Sequence, residues 1–280
     1  MAWIVKVFPV MRTLLVPLII LSSVATAGSY TLLSLGGAKA ASGELLAPSP
    51  LVEIPAGEFS MGSDSGAVDE KPVHRVQGGA FLMDRFEVTN GRYAECVAAG
   101  VCVPPSLAGS KTRPKYFGEA AYATYPVIFV SWVEADTYCR FAGGRLPTEA
   151  EWERAARGTD KPRIFPWGDE APTCDKANFM GCVGDTDEVG KRPAGKSPYG
   201  VHDMAGNVWE WTADWYGADY YRESEPVDPR GPKTGTLKVM RGGCWVSGAS
   251  SLRSTCRKPE LPSLWAPNVG FRCVYTRGQQ

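Results

Sequence analysis

Eight cysteines and two histidines are the residues with which this 280-residue chain could do nucleophilic, redox or transition-metal chemistry. Their arrangement already restricts the options. No two cysteines stand in a C-x-x-C spacing, so neither a zinc knuckle nor a thioredoxin-like redox pair is indicated. His74 and His202 are too few for a triad of histidine metal ligands. A thiol nucleophile would also need a histidine beside it, and both read as surface or turn residues. An even number of cysteines in an oxidising compartment reads first as a disulfide framework. Cys96 and Cys102, which flank Gly100, and Cys174 and Cys182, which bracket a short loop, would each close locally at little entropic cost. A different chemistry is written in DMAGNVWEW (203–211). Asp203 and Glu210 supply two carboxylates, and the carbonyls of Gly206 and Val208 lie between them on a glycine-bearing turn. Such a set of oxygens suits calcium. Other carboxylate pairs have simpler readings: Glu149/Glu151 belong to a helix start and Asp169-Glu170 to a turn.

The elements that must hold these residues are short. The alternating segment from Val52 to Gly62, broken by Pro55 and Gly57, predicts short strands with tight turns. Phe81 to Val88 predicts another strand, followed by a helix with Thr89 as its N-cap and Gly100 just past its end. Ser131 with Glu134, and Thr148 with Glu151, are capping boxes. They predict helices over Ala135 to Phe141, stopped by Gly143-Gly144, and over Trp152 to Arg157, stopped by Gly158. No helix is predicted after residue 160. With 31 glycines, 22 prolines and 9 tryptophans, the expected class is α+β, one loop-rich domain with little regular secondary structure and an aromatic-filled core.

Thirty basic residues balance thirty acidic ones, which is not the footprint of a nucleic-acid binder. Lys6 and Arg12 precede an apolar run from Leu14 to Ala27, the layout of an export signal. Ala25-Thr26-Ala27 and Ala38-Lys39-Ala40 both offer cleavage sites, and an uncleaved signal anchor is the alternative. Residues 1–41 are therefore expected to be a signal peptide or anchor, 42–50 a linker, and 51–277 a folded domain outside the cytoplasm. Contact with a membrane is expected only through that anchor.

Several segments, in order, resemble the sulfatase-modifying factor superfamily, which includes the formylglycine-generating enzymes: IPAGEFSMGS (54–63), DRFEVTNGRY (84–93), PVIFVSWVEADTYCRFAGGRLPTEAEWERAARG (126–158), FPWGDE (165–170), YGVHDMAGNVWEWTADW (199–215), VMRGGCW (239–245) and NVGFRC (268–273). The resemblance implies a fold related to C-type lectins. It implies a disulfide between Cys139 and Cys273, which leaves Cys244 and Cys256 as the fourth pair. It also implies two structural calcium sites. One is formed by Asp203 and Glu210 with the carbonyls of Gly206 and Val208. The other is formed by Asn178, Phe179 and Asp185, with Asp187 the less favoured carboxylate, in a stretch shortened here around 183–188.

The resemblance also shows what is missing. The family's enzymes oxidise a sulfatase cysteine with copper(I) held by two cysteines in G-G-S-Y-x-C-x-x-x-x-C, because thiolates are soft ligands. Laid on that stretch, the chain has Ser247 and Leu252 at the two cysteine positions, and Cys244 where the family has serine. Copper oxidation is not expected, and no catalytic residue is assigned. Branches that use histidine-bound iron are excluded by the histidine count. A group resembling the pyoverdine-maturation proteins, exported and without the copper pair, agrees with both features. The expectation is thus a binding or accessory domain for an unknown protein, peptide or glycan, with an extracytoplasmic maturation enzyme or oxidoreductase as the alternative. Trp245, Trp265 and Arg253 are the candidate ligand surface beside the altered stretch. Arg241, Arg253, Arg257 and Arg272 lie near this stretch in sequence and could bind an anion, with salt bridges and surface solubility as the alternative reading.

Overall fold

A computed structural model describes residues 49–159 and 163–276. The expected signal over 1–41 and all but the last two residues of the linker lie outside these. Among the described residues no helix is long and apolar enough to cross a membrane.

Three small sheets carry the strands. In the first, β1 (Leu51–Ile54), β4 (Phe81–Asp84) and β9 (Val274–Tyr275) run in that order, all antiparallel. The second is the antiparallel pair of β2 (Gly57–Met61) and β3 (His74–Gly78). The third has the order β7 (Lys258–Glu260), β6 (Lys238–Arg241), β5 (Trp209–Trp215), β8 (Val269–Gly270), with β8 parallel to β5. Side chains alternate in β2: Phe59 and Met61 face inward, and Glu58 stays exposed, as a strand covered on one face requires.

The helices begin where their caps place them. Helix α1 (Asn90–Ala98) starts at Thr89, whose hydroxyl accepts from Arg92 N. Helix α2 (Trp132–Phe141) and helix α3 (Glu149–Arg157) start at complete capping boxes on Ser131/Glu134 and Thr148/Glu151. Gly143 (φ 80°) and Gly158 (φ 78°) follow the ends of α2 and α3 in the left-handed region that glycine tolerates. Strand β4 is shorter than the expected 81–88, because the chain turns after Asp84 to deliver residues 85–89 to the site described below. Past residue 163 the described helical segments are single 3₁₀ turns.

The largest core cluster packs Tyr93, Tyr138, Trp211 and Phe271 around the Cys139–Cys273 bridge. Cys96–Cys102 and Cys174–Cys182 form the two short loops. The fourth expected bridge is corrected: Cys244 and Cys256 are free thiols. The reason lies in their surroundings. Buried Cys244 accepts a hydrogen bond from Asn268 Nδ2 at 3.2 Å and has Ser247 Oγ 3.3 Å away. Half-buried Cys256 sits instead among the charges of Arg241, Glu70 and Arg253, and burial pushes its thiol above the ordinary cysteine range.

Candidate functional site

The segment 203–210 folds as a backbone cradle because three of its residues adopt positive φ: Asp203 (57°), Gly206 (87°) and Asn207 (59°). Asp and Asn are among the residues that tolerate this region best. At Gly206 a side chain is excluded, since its Cβ would be driven into the backbone of Asn178. The turn then runs into β5, which carries Glu210 into the interior.

Three buried carboxylates gather at this cradle. Asp203 Oδ2 accepts from Gly190 N at 2.6 Å. Glu210 receives the Arg272 guanidinium on both oxygens (2.7 and 2.6 Å) and Trp152 Nε1 at 2.8 Å. The third, Glu87, lies just past β4. Its Oε2 accepts from Asn207 Nδ2 at 2.8 Å, and its Oε1 is buried without a partner among the described residues. Among the described residues Arg272 is the one guanidinium paired here, while Arg192, which Asp203 also feels, is committed to Asp187 at 2.7 Å. Three carboxylates facing one arginine leave an excess of negative charge in a buried place. Burial, with the charges of Asp203 and Glu210, raises Glu87 well above the usual carboxylate range. Burial likewise raises Asp203 to about 6. Either protons or a cation must neutralise this cluster. An orphaned carboxylate oxygen, the charge excess and the nearby carbonyls of Gly206 and Val208 fit a hard divalent cation. Among the described residues no three His, Cys, Asp or Glu side chains stand at metal-ligand spacing, so backbone carbonyls would have to supply part of the shell.

The second expected set is different. Asn178 Nδ2 donates to Asp185 O (2.8 Å) and Asn207 Oδ1 (3.2 Å), while Asn178 Oδ1 is buried without a partner. Asp185, however, is already satisfied by Ser110 Oγ, Thr112 N and Oγ1, Thr186 N and Arg113. Burial would raise it, but the hydrogen bonds from Ser110 and Thr112 hold it below the ordinary aspartate value. Asp187 is matched by Lys191 and Arg192, and Phe179 O accepts from Cys182 N. Among the described residues this set thus presents one uncommitted oxygen and no uncommitted carboxylate. Asn207 joins the two sets into a single assembly.

The altered copper stretch leaves β6 through Gly242 and Gly243. A Cβ on Gly243 would stand 2.7 Å from Leu252 Cδ2. Ser247 Oγ accepts from Cys244 N at 3.0 Å, closing a turn. Leu252 is fully buried with Phe165, Ala177 and Ala205. The stretch is tied by its main chain: Trp245 N donates to Asn207 O, Met180 N to Ser247 O and Ser254 N to Ile164 O. Of the candidate ligand surface, Trp265 is 53% exposed, its indole donating to Glu134. Trp245 is corrected to a core residue, 8% exposed with Nε1 on Pro267 O. Arg253 is committed to Glu70 through both terminal nitrogens at 2.6 Å. The exposed apolar side chains on this stretch are instead Val246 and, against it, Met180.

Two features escaped the sequence reading. One is Glu87, whose signal is a carboxylate between the apolar Phe86 and Val88. The other is the ion network of Arg241 and Arg257 with Glu149 and Glu153, all buried. Arg241 and Arg257 thereby take their salt-bridge role, and Glu149 proves more than a helix-start residue.

Comparison with known proteins agrees with this geometry. The family model of the sulfatase-modifying factor enzyme 1-like domain matches residues 41–277. The chain is similar to the formylglycine-generating enzyme of Streptomyces coelicolor, 36% identical, covering 80% of this chain and 88% of the relative. It is also similar to the serine/threonine-protein kinase pkn1 of Chlamydia pneumoniae, 40% identical over 80% of this chain, of which it spans only 37%. The solved structure of PvdO from Pseudomonas aeruginosa superposes with a TM-score of 0.66 at 30% identity, covering 80% of this chain and 93% of that one.

Proposed function

Because the chain belongs to the sulfatase-modifying factor enzyme 1-like family, we propose that it is an extracytoplasmic binding or accessory domain on that scaffold, without the copper-dependent oxidation of sulfatase cysteines. The observation that carries this reading is the pair of residues at the copper positions. Leu252 is packed into an apolar cluster, and the Ser247 hydroxyl is spent on its own turn. Neither is a soft ligand. The export-type N-terminus and three disulfides support a location outside the cytoplasm. Exposed Trp265, Val246 and Met180 are suited to a protein, peptide or glycan partner, since the indole is both apolar and already oriented by Glu134.

A second reading, a maturation enzyme with a divergent site, is favoured by one observation: Cys244 and Cys256 are unbridged. The two readings part in one experiment, a Cu(I) titration followed by oxygen uptake with a cysteine peptide as substrate. The binding-domain reading expects no stoichiometric copper and no oxygen uptake above the peptide blank. Oxygen consumption that Cys244→Ala abolishes would decide for the enzyme.

Calcium belongs to the same proposal. Asp203, Glu210 and Glu87 with the carbonyls of Gly206 and Val208 would hold one ion, which would neutralise the buried charge. Calcium at about 100 times its dissociation constant would stabilise by about 2.7 kcal/mol, so exhaustive chelation at pH 7.5 should lower Tm by roughly 5–10 °C. The pH dependence has a definite sign. Folded Asp203 and Glu87 titrate above their unfolded values, so what they contribute is fully present below the unfolded pKa and lost as pH rises through the folded one. Calcium-free protein should therefore lose stability between pH 4.5 and 7 (about), and added calcium should restore it. Glu87→Gln should flatten that slope and remove the calcium response. A calcium-free Tm that rises across this window would refute the assignment.

A further inference from the structure

On the other face of α3 lies a cavity of about 170 Å³ that shares no lining residue with the carboxylate cluster or the altered copper stretch. Its apolar walls come from Phe59, Val76, Phe81, Ala150 and Tyr275. Its polar wall is Arg154, with Arg145 and Arg230 beside it. Arg154 is 1% exposed. Its guanidinium lies 5.1 Å from the centroid of the Phe81 ring and donates to the carbonyls of Gly57 and Gly79. Among the described residues Nε has no partner, and no carboxylate bonds to the guanidinium. Neither carboxylate of the cavity wall bonds to Arg154. Glu151 is held by Arg145 through two hydrogen bonds (2.7 and 2.6 Å), and Asp228 accepts from Gly79 N at 2.8 Å.

A buried guanidinium whose hydrogen bonds go to carbonyls has no carboxylate in direct contact, and buried charges are ordinarily paired. Burial accordingly pulls Arg154 below the ordinary arginine value. Glu151 and Asp228 act on it from the wall, but the wall carries three guanidiniums, Arg145, Arg154 and Arg230, against those two carboxylates, so it is left with a positive charge that a bound anion can balance. Size limits that anion, since an apolar cavity of ~150 Å³ takes a benzene-sized ring. We propose that this cavity binds a small carboxylate with an apolar, ring-sized body, the ring lying among Phe59, Val76 and Phe81 and the carboxylate compensating Arg154.

The test uses phenylacetate, its neutral isostere phenylacetamide, and acetate, titrated calorimetrically into the calcium-loaded chain. The expected result is a phenylacetate Kd of about 1 mM or below, at least ~10-fold tighter than either control. Two variants localise the binding. Ala80 lines the cavity and is exposed, so Ala80→Phe should abolish binding and leave Tm unchanged. Arg154→Met should bring phenylacetate and phenylacetamide to equal affinity. Equal affinities of the two in the unaltered protein, acetate binding as tightly as phenylacetate, or phenylacetate binding that survives Ala80→Phe would each overturn the proposal. Should Arg154→Met not fold, the isostere pair and Ala80→Phe decide it alone.

Discussion

Replacing Glu149 by glutamine is expected to cost about 3–5 kcal/mol, enough to unfold a domain whose total stability is of the order of 5–15 kcal/mol. Glu149 is 2% exposed and accepts from Arg241 (2.8 Å) and, through both oxygens, from Arg257 (2.7 and 2.9 Å). The neighbouring Glu153 accepts from Arg241 (2.6 Å) and Arg157 (2.7 Å). Three guanidiniums therefore share two carboxylates. The neutral amide would leave them facing one. Arg241→Met should be milder, because the Arg257–Glu149 and Arg157–Glu153 pairs survive it. Urea unfolding of both variants checks the order, and a loss under about 1 kcal/mol for Glu149→Gln would refute the account. Asp214 adds a signature. Burial and the Glu149 charge raise it to about 8, and it accepts from Glu149 N at 2.8 Å. Its stabilising contribution is present below its unfolded value and disappears as pH rises through 8. Glu149→Gln should weaken that alkaline loss.

The second large effect is expected from the Cys139–Cys273 bridge. It closes 134 residues, against 6 for Cys96–Cys102 and 8 for Cys174–Cys182. The chain-entropy account assigns about 5 kcal/mol to the long loop and about 2–2.5 kcal/mol to each short one. Cys139→Ala/Cys273→Ala should thus destabilise roughly twice as much as either short double variant. Both sulfurs also lie in the largest core cluster, so cavity formation adds to the loss. Equal losses for all three bridges would show that loop entropy is not the governing factor.

Local structure was legible because its determinants are local. Thr89, Ser131 with Glu134, and Thr148 with Glu151 bond to backbone within three residues of themselves, and spacing reveals such partners. The family resemblance supplied what spacing does not, namely the fold and the long bridge, and it agreed with the oxygen set read from the residues at 203–210. Elimination misled for Cys244 and Cys256, because it assumes that every thiol pairs. Asn268 and Ser247 offered Cys244 another partner. Trp245 and Arg253 were read as surface on proximity in sequence, but Pro267 and Glu70, 22 and 183 positions away, decide where they point. Glu87 and Arg272 show the general limit. Each is a charge among buried apolar neighbours, which signals a partner without saying which, since Arg272 and Glu210 are 62 residues apart.

The pairing of β9 with β4 bears on when the molecule can fold at all. Residues 269–275 supply β8, Arg272, Cys273 and β9. They thereby complete the third sheet, the charge balance of Glu210, the long bridge and the first sheet. A nascent chain shorter than this can form capped helices and the β2–β3 pair, but it has no closed core. Most of its native contacts span long sequence separations, the regime of slow folding. Each chain should therefore stay open until these last strands emerge, and then close in one late, cooperative step.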